Sequence, residues 1–197
     1  MIKVGDIVKT FLKKYEVVGQ INNDSFIVTC KNKKFLLRTF EYTAEDGQEL
    51  EYSLIRIKSS GISAPKLITF SRKNGYFITE YIEGESMAKY IAEHDLDDKI
   101  YKQLFDAAYF AKMAKATLNY EPDRWLINNG KIYYVYPHIL EFNPEKDLVK
   151  HYIRLWFNTK ELQKYLTDKG YDFDKNRIKD EYATNKEILL KTVSFYR

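Results

Sequence analysis

A single cysteine, Cys30, in a chain of 197 residues leaves no partner for an intramolecular disulfide, and such a chain suits a reducing interior. No apolar run approaches the roughly 20 residues that a membrane-spanning helix needs. The opening stretch MIKVGDIVKTFLKKY has neither a long apolar core nor a cleavage signal, so the expected location is cytoplasmic. The histidines His94, His138 and His151 are scattered, and with Cys30 they give no metal-ligand spacing. There is no G-x-S-x-G, no Walker loop and no H-E-x-x-H, which removes the common signatures of serine hydrolases, P-loop enzymes and zinc proteases. Neither sign of charge dominates: 32 basic residues face 28 acidic ones. The net charge of +4 permits an acidic partner without demanding one. Internal repeats and low-complexity tracts are also missing.

What the chain has in quantity is aromatic residues, with 17 tyrosines, so its core or contact faces are aromatic-rich. At this length a folded chain buries roughly 70% of its extended surface, enough for one domain or two small lobes. Residues 15–21, 26–30 and 34–40 read as strands separated by Asn22-Asn23-Asp24-Ser25 and Lys31-Asn32-Lys33, both rich in turn residues. A helix follows, with Thr43 and Asp46 as a capping box and Leu50, Leu54 and Ile57 at helical spacing, ended by Gly61. Residues 66–70 and 76–81 are two further strands, and Glu83-Gly84-Glu85 breaks the pattern.

From there the pattern turns helical. A short helix is expected over 87–94. A longer one carries Ile100, Leu104, Ala107, Ala111, Ala114 and Leu118 in steps of four and three. Leu126-Ile127 and Ile132-Tyr133-Tyr134-Val135 form a hairpin around Asn128-Asn129-Gly130-Lys131. Three helices are expected in the tail. The first covers 145–157. The second is capped by Asn158, with Glu161 reaching back, and stops at Gly170. The third runs over about 174–193, with Ile178, Tyr182, Leu189 and Val193 on one side. The layout is α+β in two segregated parts, a β-rich part over 1–82 and a mainly helical part over 83–197.

Several runs, in this order, resemble the protein-kinase-like superfamily in its small form: the compact atypical kinases of the tRNA-threonylcarbamoyl complex, the RIO-type kinases and the aminoglycoside-phosphotransferase group. Phe35-Leu36-Leu37-Arg38 stands where the family has V-A-I-K. Glu51-x-x-Leu54-Ile55 followed by Gly61-Ile62-x-x-Pro65-Lys66-Leu67 is similar to the family's helix and exit. Phe77–Gly84 is similar to the strand and hinge between lobes, and residues 115–136 to the catalytic segment. The resemblance implies a small bilobal protein-kinase-like fold, with an N-terminal antiparallel sheet of five strands and one helix and a C-terminal, mainly helical lobe. It implies nucleotide contacts at Gly19, Arg38, Glu51, Glu80 and Ile82, with Arg38 and Glu51 facing one cleft. Glu49 is the alternative to Glu51, one register away.

The chemistry of the matched positions departs from the family. The base position holds Asn119, a neutral amide that cannot accept a proton from an attacking hydroxyl. The two metal positions hold Arg124 and Tyr136, and neither supplies the carboxylate oxygen that magnesium prefers. The run GQINNDS has one glycine where the family covers phosphate with several. Tyr136-Pro137-His138 replaces D-F-G. The expectation is therefore a binding or regulatory pseudokinase, with ATP as the one cofactor the resemblance allows, held without magnesium. The rival is an active ATP-dependent phosphotransferase that recruits Glu121 or Asp123 as base or metal ligand. A further alternative is an RNA-associated accessory protein using the basic residues of the tail. The expected partner is a protein, with RNA as the alternative and no membrane.

Overall fold

The structure is a computed structural model that describes residues 2–41 and 44–196. The chain divides into two compact units, Met1–Lys58 with Pro65–Ile82, and Ser59–Ala64 with Glu83–Arg197.

The first unit is built on strands β1 (Ile7–Lys9), β2 (Lys14–Asn22), β3 (Ser25–Cys30) and β4 (Lys33–Thr39), helix α1 (Ala44–Ser60), and strands β5 (Leu67–Ser71) and β6 (Tyr76–Glu80). The six strands lie in the order β1-β2-β3-β4-β6-β5, each antiparallel to its neighbour. One strand more is present than the five expected. β1 is only three residues long, too short to show an alternating run, and it is held by pairing Val8 with Tyr15. Tyr15, Val17, Phe26, Val28, Leu37 and Ile78 make the buried core. The spacing of Tyr15 with Val17 on β2 and of Phe26 with Val28 on β3 follows the two-residue period of a strand. Lys31 and Asn32 both take positive φ, 51° and 61°, the backbone that a two-residue hairpin loop needs to match the strand twist. In α1, Leu50 and Ile57 are buried as expected. The capping box expected at Thr43 and Asp46 rests on Thr43 and on the Asp46 side chain, which lie outside what the structure describes.

The second unit contains β7 (Glu85–Ser86), α2 (Met87–Glu93), α3 (Asp98–Met113), β8 (Ala116–Thr117), β9 (Trp125–Asn128), β10 (Lys131–Tyr134), β11 (Leu140–Glu141), α4 (Lys160–Asp168) and α5 (Glu181–Phe195). The hairpin β9–β10 turns on Asn129 and Gly130, both at positive φ. β9 also pairs with β7. That pairing explains Gly84, where a Cβ would stand 2.6 Å from the carbonyl oxygen of Ile127. α3 is shorter than expected. Lys115 takes a left-handed φ of 49°, and Ala116–Thr117 then pairs with Leu140–Glu141 as a strand.

Three tail expectations are corrected. Residues 145–157 form no α-helix. They form a 3₁₀ turn (Pro144–Lys146), a π turn (Leu148–Tyr152) and another 3₁₀ turn (Ile153–Trp156). The buried residues explain this winding. Leu148, Ile153 and Trp156 are spaced five and three apart, and π and 3₁₀ turns align those spacings where α geometry would splay them. The cap of α4 is Thr159, whose hydroxyl accepts from the Leu162 amide at 3.0 Å. Asn158 instead donates to Asp95, and Glu161 takes Arg154 at 2.7 Å. The last helix starts at Glu181, capped by Asp180, after a 3₁₀ turn at Lys175–Arg177. Its inward face carries Thr184, while Tyr182, Leu189 and Val193 are exposed.

One side chain fixes the segment between α4 and α5. Arg177 donates to the carbonyls of Ile91 (3.0 Å), Ala92 (2.7 Å) and His94 (2.7 Å), and to Asp95 Oδ1 from two nitrogens (3.1 and 2.9 Å). Its guanidinium also lies on the ring of Phe173 at 4.9 Å. A cation here satisfies the orphan carbonyls at the end of α2 and complements the negative end of the helix dipole.

Candidate functional site

Residues 119–136 lie together in the second unit. The loop enters a single 3₁₀ turn, Pro122–Arg124, with proline at the first position, where its missing N–H costs nothing. Asn119, at the expected base position, organises this loop. Its Oδ1 accepts from the Glu121 amide at 2.9 Å, an Asx-type turn. Its carbonyl accepts from Trp125 Nε1 at 3.3 Å, and its amide donates to the Tyr134 hydroxyl at 3.3 Å. Tyr134 in turn donates to the carbonyl of His138 at 2.8 Å, and Trp156 Nε1 donates to the Tyr120 carbonyl at 2.8 Å. Trp125 and Trp156 are fully buried, so aromatic side chains anchor the loop from below.

The carboxylates are already engaged. Asp123 Oδ1 accepts from the Tyr165 hydroxyl at 2.7 Å, and Oδ2 takes Lys169 Nζ at 2.8 Å. The Asp123 amide also donates to the Tyr165 hydroxyl, at 3.3 Å. Burial alone would push the Asp123 carboxyl up. The hydrogen bonds from Lys169 and Tyr165, with the charge of Arg124, outweigh burial and hold it below the usual carboxylate range. Burial and the bond to Asp123 push the Tyr165 phenol well up. Arg124 Nε stands 3.5 Å from Glu121 and 3.6 Å from Asp123, and its guanidinium lies over the Tyr136 ring at 4.9 Å. Arg124 and Tyr136, the two positions expected to correspond to metal ligands, are thus in contact with each other, as a cation on an aromatic face. Arg124 Nε is buried without a hydrogen bond.

This set does not fit magnesium. A magnesium ion needs hard oxygens in near-octahedral geometry. Here the two nearby carboxylates face Arg124 and Lys169, so a metal would have to displace a built-in cation. Among the described residues no three His, Cys, Asp or Glu side chains converge as metal ligands.

The positions expected to touch nucleotide lie in the first unit. Arg38, on β4, pairs in register with Ser25; burial lowers its guanidinium pKa and the charge of Asp24 opposes that shift. The carboxylate expected to partner it, Glu51, is taken by Arg72, with Nε at 2.6 Å and Nη2 at 2.5 Å. Glu49 is exposed. Gly19 sits at a bulge of β2 opposite Ile27, and a Cβ there would meet that side chain only at ordinary contact distance. Glu80 ends β6, with its amide donating to the Lys66 carbonyl at 2.9 Å. Ile82 follows, half-buried, as the last residue of its unit. The site residues without a sequence signal are Tyr165 and Lys169. They stand one turn apart on and just beyond α4, more than forty residues from Asp123, and nothing local marks them.

No family model matches the chain, and no curated protein matches it. Among solved structures it is similar to choline kinase LicA from Streptococcus pneumoniae, at 17% identity and TM-score 0.47, over 96% of this chain and 84% of that one. It is likewise similar to LicA in complex with AMP, at 17% identity and TM-score 0.46, over 96% and 82%. Likeness at this level adds nothing to the chemistry of the site, which rests on the residues described above.

Proposed function

We propose that this chain is a kinase-like protein that has lost phosphotransfer and works by binding, with a protein as its partner and ATP as a ligand held without magnesium. The order of strands, helix, strand pair, helices and hairpin is the order the family resemblance implies. The observation that carries the loss of catalysis is the neutralised carboxylate pair. A general base needs a free carboxylate of suitable pKa within reach of the hydroxyl, whereas Asp123 is tied to Tyr165 and Lys169. Arg124 supplies a fixed positive charge in place of metal. Its terminal nitrogens make no hydrogen bond among the described residues, and a planar guanidinium suits phosphate.

A second reading, an active phosphotransferase, rests on Glu121. This carboxylate is 33% exposed and is held only by the long contact to Arg124, so it is the less committed of the two. RNA association has less support. Lys150, Arg154, Lys169, Arg177, Lys179 and Lys191 each hold a carboxylate of the same chain.

The binding half of the proposal is tested by thermal-shift titration with ATP, with and without magnesium. The expected result is the same stabilisation in both, weakened at least about tenfold in affinity by Arg124→Ala. Stabilisation that requires magnesium, or that survives Arg124→Ala unchanged, would sink it.

A further inference from the structure

We propose that the turn between β1 and β2 is a contact tip that docks the chain on an anionic lipid surface. The turn Thr10-Phe11-Leu12-Lys13 is closed by its first residue. The Thr10 amide donates to the Lys13 carbonyl at 2.8 Å, its hydroxyl donates to the same carbonyl at 3.0 Å, and that hydroxyl accepts from the Lys13 amide at 3.1 Å. The central positions of tight turns usually carry glycine, asparagine, aspartate or proline. Here they carry Phe11 and Leu12, with relative exposures of 101% and 82%. The turn does not need them for its closure, which Thr10 and the backbone supply, and the core does not use them.

Charge surrounds the apolar point. Lys9, Lys13 and Lys14 are all exposed, and among the described residues none of their ammonium groups is in an ion pair. Residues 9–14, KTFLKK, contain three cations and no anion. The nearest acidic residues along the chain are Asp6, which accepts from the Lys3 amide, and Glu16, exposed on β2.

This combination favours lipid over protein. A stable protein interface buries roughly 800 Å² per partner, far more than two side chains at a turn present. Attachment to a bilayer surface needs only a few inserted apolar side chains together with attraction of nearby lysines to anionic headgroups. The hydrogen-bonded turn is already ordered, so little freedom is lost on docking. Such a contact lies on the membrane and does not span it, and no helix among the described residues is long and apolar enough to cross one.

The test is flotation of the full chain with phosphatidylcholine vesicles containing about one third phosphatidylglycerol, against pure phosphatidylcholine, at low salt and at about 0.5 M salt. The expected result is binding to the anionic vesicles alone, lost at high salt. It should fall at least about tenfold in Phe11→Ser with Leu12→Ser, and also in Lys13→Glu with Lys14→Glu. Phe11→Trp gives a second readout. Both native tryptophans are buried, so the new indole reports on the tip, and its emission should shift to the blue when anionic vesicles are added. Absence of flotation, together with an unmoved emission spectrum of the Phe11→Trp chain, would overturn the proposal. So would full binding by the serine pair. A dimer in vesicle-free solution that the serine pair dissociates, without vesicle binding by the native chain, would assign the tip to protein contact and overturn it as well.

Discussion

Asp123→Asn lowers the stability of the folded chain by about 2 kcal/mol at neutral pH, and the deficit disappears in acid. The aspartate holds Lys169 at 2.8 Å and Tyr165 at 2.7 Å. An asparagine keeps an acceptor for the phenol but removes the counter-charge of the ammonium and leaves Arg124 with Glu121 alone. Lys169 is partly exposed, so water screens part of the loss and the effect stays below that of a fully buried pair. The pH dependence follows from the lowered Asp123 pKa. A carboxyl whose folded value lies below its unfolded value of about 4 stabilises the folded state above that pH, and loses its contribution as pH falls through the folded value. Urea unfolding at pH 7 and at a series of acid values should show the native chain and the variant converging as pH drops from about 5 toward about 2. A carboxylate kept for catalysis behaves differently: its amide variant is as stable as the native chain or more so.

Arg177→Ala is expected to cost about 3 kcal/mol, the largest single-site effect outside the apolar core. Its five donor contacts end on three carbonyls and one carboxylate around the end of α2. Ile91 and Ala92 are buried residues, so water does not readily replace the guanidinium at their carbonyls, and unpaired buried acceptors are costly. The segment carrying Arg177 is a 3₁₀ turn with little regular hydrogen bonding of its own, so the loss should loosen the join between α4 and α5. For a chain of this size the melting temperature should fall by about 6–12 °C. Arg177→Lys keeps the charge but not the planar fork, and should recover less than half of the loss. Thermal melting of the three chains checks the order.

The parts of the fold that could be read from sequence are those with local periodicity. β2 alternates, β3 to β6 are short β-prone runs between turn residues, α1 repeats Leu50 and Ile57, and Asn129-Gly130 demands a tight hairpin. The misses have non-local causes. β1 is too short to alternate, and exists because Val8 can pair with Tyr15. The stretch from Leu148 to Trp156 reads as a helix because it is rich in apolar residues, yet spacings of five and three bury in π and 3₁₀ turns. In α5 Tyr182, Leu189, Leu190 and Val193 face outward and Thr184 faces inward, while ion pairs from Lys191 to Asp98 and from Arg154 to Glu181 tie the helix down. At the candidate site, the residue types at Asn119, Arg124 and Tyr136 could be read from the sequence. Their contacts could not. The contact of Arg124 with Tyr136 joins residues across a hairpin, and the capture of Asp123 by Tyr165 and Lys169 depends on where α4 packs. Arg72 likewise takes Glu51 from 21 residues away in the chain.

The most direct measurement is ATP turnover and phosphotransfer by the purified native chain in the presence of magnesium. The proposed loss of phosphotransfer predicts a rate indistinguishable from the enzyme-free blank, unchanged in Glu121→Gln and in Asp123→Asn. Turnover well above the blank that Glu121→Gln or Asp123→Asn abolishes, with the melting temperature of that variant preserved, would contradict it and establish the acidic pair as catalytic.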